Sequence, residues 1–428
     1  MPSLEDIRSA VASTRSWALD ALSEWVTYAS IFGNERPAQE YAAGLYDGLD
    51  LAPKLLPVDV DRIKNLPGYS PVKWSYSDRP NLVGIHDPGT QEGRTLVFNG
   101  HIDVVSAEPT RLWESDPFQP KRIVEEGEEW LAGRGAADMK GGSICFLWAM
   151  AALRELGLEP ASRVIFQSPI EEESSGNGTL ALLADGYGGD ACIIPEPFGE
   201  TVLLRQIGML WFELHVTGRT THVEKASAGV NAIEKTFLLV QALRALEAEA
   251  NRPERIPPGY RDVEHPLNLN IGIIRGGDWA STVPGECSSR FRFAAFPGER
   301  IDDVLRRIRT CVAEAASEDP WLSDNPPVVE FVGFQAEGCE FDPASDLGQV
   351  LRKAHSAWRG SNPAPFVSTA TTDIRFFNLY YDTPATCYGP VGRNIHAADE
   401  CVNLSSVRNV TEVYIQLLSD WCGLKRRS

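Results

Sequence analysis

Thr95-Leu-Val-Phe-Asn-Gly-His101-Ile-Asp103 is the stretch on which the fold turns. A short strand-like run, 95–99, gives way to a glycine and then to a histidine and an aspartate two residues apart. Alternation along an extended chain puts His101 and Asp103 on one side. Outward from it, helix and strand signals take turns. Residues 3–31 carry apolar side chains at helical spacing (Ile7, Val11, Leu19, Leu22, Trp25, Val26), and Gly33-Asn34 ends that run. Pro37 opens a helix over 37–48, and 81–85 reads as a strand. Downstream, the pattern predicts a long helix over 142–156 stopped by Gly157, a strand at 163–167, a short helix at 178–185 and a strand at 191–194. Strands separated by helices specify an α/β layered sheet.

The character changes near Arg205. Residues 209–216 read as a strand, 230–249 as an amphipathic helix, 267–274 and 288–294 as strands, 300–316 as a helix and 327–332 as a strand. Strand, helix, two strands, helix, strand describes a ferredoxin-like α+β unit. The α/β pattern then resumes with helix 345–358, strands near 365–368 and 384–388, and helix 405–421. The expected organisation is a catalytic mixed-sheet α/β domain, 1–206 with 334–428, interrupted by an inserted unit, 207–333.

The chain has 428 residues, enough for two domains of ordinary size. Its formal charge of −19 repels phosphate backbones, which argues against nucleic acid as a partner. There is no apolar run of about 18 residues to span a membrane. Met1-Pro-Ser-Leu-Glu-Asp-Ile-Arg lacks a basic-then-apolar leader, so a cytoplasmic location is expected. Eight scattered cysteines without a C-x-x-C pair read as reduced thiols rather than a disulfide framework or a zinc site.

Metal ligands must be oxygen or imidazole donors held rigidly, typically at strand ends. Five segments offer them: His101 with Asp103; Asp138 in Gly133-Arg-Gly-Ala-Ala-Asp-Met-Lys-Gly-Gly142; Glu171-Glu172-Glu173; Glu196 in Ile194-Pro-Glu-Pro197; and His396 in Gly389-Pro-Val-Gly-Arg-Asn-Ile-His396-Ala-Ala-Asp-Glu400. The adjacent carboxylates at 171–173 repel one another unless cations neutralise them. Four of the five follow strand signals, the usual place for sites in an α/β sheet.

Taken in order, strand-His-x-Asp, Asp-Met-Lys-Gly-Gly, Glu-Glu-Glu, Pro-Glu-Pro and Gly-Pro…His-x-x-Asp-Glu resemble the dinuclear metallohydrolase family of acetylornithine deacetylase, succinyl-diaminopimelate desuccinylase, aminoacylase and glutamate carboxypeptidase. The resemblance spans 95–400. It implies two divalent metal ions, zinc first, with cobalt or manganese as alternatives. His101 and Glu196 would bind one, Glu173 and His396 the other, and Asp138 would bridge them. Asp103 would hold His101, and Glu172 would be the general base. A cis peptide after Asp138 is also implied. Gly218-Arg-Thr-Thr-His222…Gly229-Val-Asn-Ala-Ile233 resembles the family's lid motif. His222 would then supply an oxyanion donor, reaching the partner's site in a homodimer formed through the inserted lid.

The departures bear on substrate. Members acting on peptides and amino acids commonly carry an arginine where this chain has Ala294, and many have an asparagine where it has Ser281. Either another cation, with Arg375 as the candidate, holds an acidic substrate, or the substrate lacks the usual α-carboxylate. The second case admits an N-formyl or N-acyl amine such as an aminopyrimidine, with Trp279, Trp211 and Phe366 available for an aromatic pocket. Ser281 and Asn270 complete the candidate substrate contacts. The leading expectation is a metal-dependent amidohydrolase that deacylates a small-molecule amide. A metallo-dipeptidase or carboxypeptidase is the alternative, and a non-catalytic ligand-binding homologue a remote one.

Overall fold

The computed structural model describes residues 2–89 and 91–427. A six-stranded sheet runs in the order Lys54–Pro57, Pro80–His86, Val164–Ser168, Leu96–Asn99, Ala191–Ile194, Ala385–Cys387. The last four strands are mutually parallel, and the first two pair antiparallel at one edge. Every residue of Leu96–Asn99, Val164–Ser168 and Ala191–Ile194 is buried, which is why these runs are mostly apolar rather than alternating, and their polar ends are hydrogen-bonded, as Asn99 is to Gln167. Phe98 and Phe166 stack at 5.8 Å between ring centroids, and Phe146 and Tyr414 close on Phe98 from the helices Gly142–Glu155 and Leu404–Cys422.

A second, four-stranded sheet runs Leu269–Gly276, Glu286–Ala295, Gly208–Thr217, Val328–Ala336, with every neighbour antiparallel. With the helices Ala232–Ala250 and Ile301–Ser317 it has the ferredoxin-like connectivity the sequence implies. Its core is its own: Leu210, Phe212, Leu214, Leu239, Leu243, Phe291, Phe293, Val304 and Ile308 form one cluster. Phe212 and Phe291 stack at 4.8 Å.

Two local readings differ from expectation. The helical run at 3–31 is two helices, Leu4–Ser13 and Arg15–Thr27. Thr14 breaks it: its hydroxyl bonds back to the Ala10 carbonyl at 2.7 Å and accepts from the Trp148 indole at 2.9 Å. A hairpin, Lys121–Glu125 with Glu128–Ala132, was not foreseen. Its charged strands look like a solvated loop, yet Glu126 and Gly127 both take positive φ, as the twist of a two-residue turn requires. Among the described residues no helix is long and apolar enough to cross a membrane, and all eight cysteines are free.

Candidate metal centre

Four parallel strands end on the same edge of the main sheet, and each feeds the centre. Leu96–Asn99 leads to His101, Val164–Ser168 to Glu171-Glu172-Glu173, Ala191–Ile194 to Glu196, and Ala385–Cys387 to the loop bearing His396. Asp138 comes from the turn entering helix Gly142–Glu155, and the Asp138-Met139 peptide is cis. Close backbone approach explains the glycines of two motifs. A Cβ at Gly142 would stand 1.9 Å from the Pro195 carbonyl oxygen, and one at Gly389 would stand 2.3 Å from that of Glu196. The helix start and the Gly389 loop therefore close directly onto the chain carrying Glu196.

The structure brings all five proposed ligands together. His101 Nε2 lies 3.0 Å from Asp138 Oδ1 and 4.0 Å from Glu196 Oε1. His396 Nε2 lies 2.9 Å from Glu173 Oε1 and 3.3 Å from Asp138 Oδ2. Asp138 thus faces one imidazole with each carboxylate oxygen. Glu172 Oε2 is 3.9 Å from His101 Nε2, and among the described residues its carboxylate accepts no hydrogen bond.

The electrostatics fit a cation site. Burial pushes the Glu172 and Glu196 carboxyls well up, with neighbouring carboxylates adding to the effect. Burial opposes the His101 charge, but Asp138 and Glu172 outweigh it and raise the imidazole well above its usual range. The Glu173 carboxylate and the Asp138 contact push His396 up to about 11. Burial works against ionised Asp138, but its two imidazole partners hold it below the usual carboxylate range. Divalent cations held there would supply the positive charge that so many buried carboxylates lack. The donor set, two imidazole nitrogens and carboxylate oxygens, suits zinc, cobalt or manganese.

The supporting contacts of three residues, Asp103, Glu400 and Glu171, were not legible in the sequence. His101 Nδ1 is oriented by the main-chain carbonyl of Asp103 at 2.8 Å, while the Asp103 carboxylate lies 3.8 Å away. That carboxylate instead accepts the backbone N–H groups of Glu172 (3.2 Å) and Glu173 (3.0 Å), and burial raises it to about 7. Asp103 therefore sets the height of the Glu172–Glu173 turn as well as lying beside the histidine. Glu400, fully buried, accepts N–H groups from Gly135, Ala137 and Asp138 and pairs with Arg134, gripping the turn that presents Asp138. Glu171 points away from the centre. It accepts from the Trp74 indole, the Tyr76 and Ser175 hydroxyls and the Arg79 guanidinium. Its φ of 66°, like the 63° at His396, places a non-glycine residue in the left-handed region at the site.

The proposed substrate contacts are scattered. Arg375 is completely buried; its Nη2 donates to the Ser175 carbonyl at 2.8 Å and its guanidinium lies over Phe376, so it sits beneath the Glu171–Gly176 turn rather than facing outward. Asn270, Ser281 and His222 are exposed on the second sheet and its loops. His222 Nδ1 accepts from the Glu224 N–H at 3.2 Å. Among the described residues no hydrogen bond or ion pair joins these three to the acid–imidazole centre. The three aromatics have separate surroundings: Trp279 is exposed, Trp211 packs on Phe334 and Phe366 on Phe198. Ala294 is buried with Ile207, Tyr260 and Phe296, leaving no cation at that position.

The profile of peptidase family M20/M25/M40 matches residues 97–420. The chain is 29% identical over 382 residues to N-formyl-4-amino-5-aminomethyl-2-methylpyrimidine deformylase of Bacillus subtilis (strain 168), covering 84% of this chain and 87% of that protein. It is 28% identical over 340 residues to succinyl-diaminopimelate desuccinylase of Maricaulis maris (strain MCS10), covering 76% and 81%. Among solved structures, the di-peptidase Dug1p of Saccharomyces cerevisiae superposes with a TM-score of 0.77 at 16% identity, over 98% of this chain and 99% of that one.

Proposed function

The chain belongs to peptidase family M20/M25/M40, and from that premise we propose that it hydrolyses the N-formyl amide of a small, planar heteroaromatic amine, releasing formate and the free amine. It is a hydrolase of amide carbon–nitrogen bonds. The observation that carries the reading is the convergence of His101, Asp138, Glu173, Glu196 and His396 around a Glu172 carboxylate that accepts no hydrogen bond among the described residues. The formyl group follows from the similarity to the Bacillus deformylase and from buried Ala294, which leaves a substrate carboxylate without its usual partner.

Two divalent cations would be held here, one by His101 and Glu196, one by Glu173 and His396, with Asp138 shared. Bound there, they supply Lewis acidity that lowers the pKa of water and polarises the amide carbonyl. Glu172 takes the proton of the attacking water and returns it to the leaving nitrogen as the C–N bond breaks. Its raised proton affinity suits the second half of that task. The Asp103 carboxylate keeps Glu172 and Glu173 at a fixed spacing through their backbone N–H groups. The reading is tested by following formate and amine release from N-formyl-4-amino-5-aminomethyl-2-methylpyrimidine beside a panel of N-acetyl amino acids and dipeptides. Formate release is the expected result. Amino-acid release from dipeptides, with no formate from the pyrimidine, would reverse the assignment.

A homodimer through the second sheet belongs to the same reading, as does a cytoplasmic location. Leu269–Gly276 is an edge strand whose Ile273 and Ile274 are exposed, beside exposed Trp279, and an uncovered apolar edge favours pairing. His222, exposed on the same unit, would then donate to the oxyanion in the partner's site. Sedimentation is expected to show a dimer, and His222→Ala to lower kcat more than it raises KM. A monomer at assay concentration would remove the partner from the mechanism.

A further inference from the structure

Arg134 is buried beside the centre, and no step of the reaction uses it. Its guanidinium reaches three segments of the chain. Nη1 donates to the Glu400 carboxylate. Nη2 donates to two main-chain carbonyls, Ala397 at 3.2 Å and Ser106 at 3.3 Å. Each acceptor lies close to a residue of the centre. Ala397 directly follows His396, and Ser106 follows soon after His101 and Asp103. Glu400 takes the N–H groups of Ala137 and Asp138, both at 2.9 Å. The Trp113 ring covers the fork, its centre 5.0 Å from the guanidinium carbon, and its indole N–H is fixed on the Ala107 carbonyl at 2.9 Å.

The two histidines are held differently. The His101 segment is fastened to the main sheet on both sides: the Gly100 N–H bonds to the Gln167 carbonyl at 2.9 Å, and the Ile102 N–H to the Pro169 carbonyl at 3.0 Å. His396 stands on an exposed stretch, 393–397, with a φ of 63°. The other backbone and amide bonds of this loop stay inside it, as Ala397 to Asn394 and Asn394 to Asp399 do, or lead from Asp399 to the Glu114 N–H. The Arg134 fork carries a link from the Ala397 carbonyl through Glu400 to the buried turn that presents Asp138. Arginine suits this place because its planar fork serves several acceptors at once, whereas a lysine is a single point of charge.

We propose that Arg134 is a positioning residue that sets His396 against Asp138, and so governs the cation held by Glu173 and His396 more than the one held by His101 and Glu196. This rests on the two-cation reading of the centre and not on which amide is cleaved. Side chains that orient metal ligands typically change metal affinity by about 10–100-fold when replaced.

The test titrates cobalt(II) into chelator-stripped protein by calorimetry, with His396→Ala marking which binding event belongs to its site. Arg134→Lys keeps a positive charge on Glu400 but cannot serve two carbonyls besides. It is expected to weaken the His396 event by about 10–100-fold and to leave the other nearly unchanged. Equal weakening of both events, or no change in either, overturns the proposal. Hydrogen exchange on the stripped protein gives a second readout: peptides over 390–400 are expected to exchange faster in Arg134→Lys, and those over 96–103 as in the wild type. If the wild type takes up fewer than two ions, the two-cation reading fails and exchange alone decides the role of Arg134. Selective loosening of 390–400 then upholds the tether; uniform loosening, or none, overturns it. If Arg134→Lys does not fold, Trp113→Leu takes its place with the same outcomes, because it uncovers the fork and leaves the ion pair with Glu400 intact.

Discussion

Replacing Glu172 with glutamine is expected to lower kcat by roughly 10²–10⁴-fold, the range a positioned general base contributes, while the metal content stays at the wild-type value. The substitution keeps the shape of the side chain, and the backbone N–H remains on Asp103. What disappears is the ability to accept a proton. The structure separates the three neighbouring candidates for this role. Glu171 already receives donors from Trp74, Tyr76, Arg79 and Ser175, and Glu173 is committed to His396. Glu172 alone of the three stands close to His101 with its carboxylate unshared. Single-turnover hydrolysis by the Glu172→Gln enzyme, with metal measured on the same sample, checks the assignment. Turnover within a few-fold of wild type would move the base elsewhere.

Stripping the metal is expected to abolish turnover, and metal analysis of the active enzyme to find about two divalent ions per chain. Reloading should also stabilise the fold, by about 2.7 kcal/mol for each site when free metal is 100 times that site's dissociation constant. The pH dependence has a definite sign. His101 and His396 hold protons more tightly than ordinary imidazoles in the cation-free chain, so at neutral pH both are charged. A cation that takes either Nε2 must displace that proton. Metal affinity therefore weakens as pH falls, and calorimetric titrations in buffers of different ionisation enthalpy should show net proton release. Binding without proton release, or full activity after exhaustive chelation, would contradict the centre described above.

The helix and strand signals along the chain were enough to read the α/β layers and the ferredoxin-like insertion, and the order of the five segments, through the family resemblance it carries, named the residues that meet at the centre. Short apolar runs and motif spacing are local signals, and local signals survive in a linear text. The break at Thr14 and the hairpin at 121–132 escaped because a side-chain hydrogen bond and a turn with two positive φ values overrode composition. The roles of Asp103, Glu171 and Glu400 escaped for another reason. Each carboxylate accepts from donors whose identity is a matter of packing: Glu400 reaches back more than 260 residues to grip the Asp138 turn. Arg375 could not be placed from the sequence either: the fold packs it beneath Ser175 and Gly176 with its guanidinium over Phe376.

The amino-acid order alone determined which residue types could bind cations and move a proton, because ligand chemistry belongs to the side chain wherever it lies. It also determined that four of the five ligand segments follow buried strands, because apolar runs must be covered. Only the tertiary structure decided which of three consecutive glutamates stands unshared beside His101 and which is spent on the scaffold. Those outcomes depend on distances between segments remote in sequence, which are set when the sheet and its loops pack and not before.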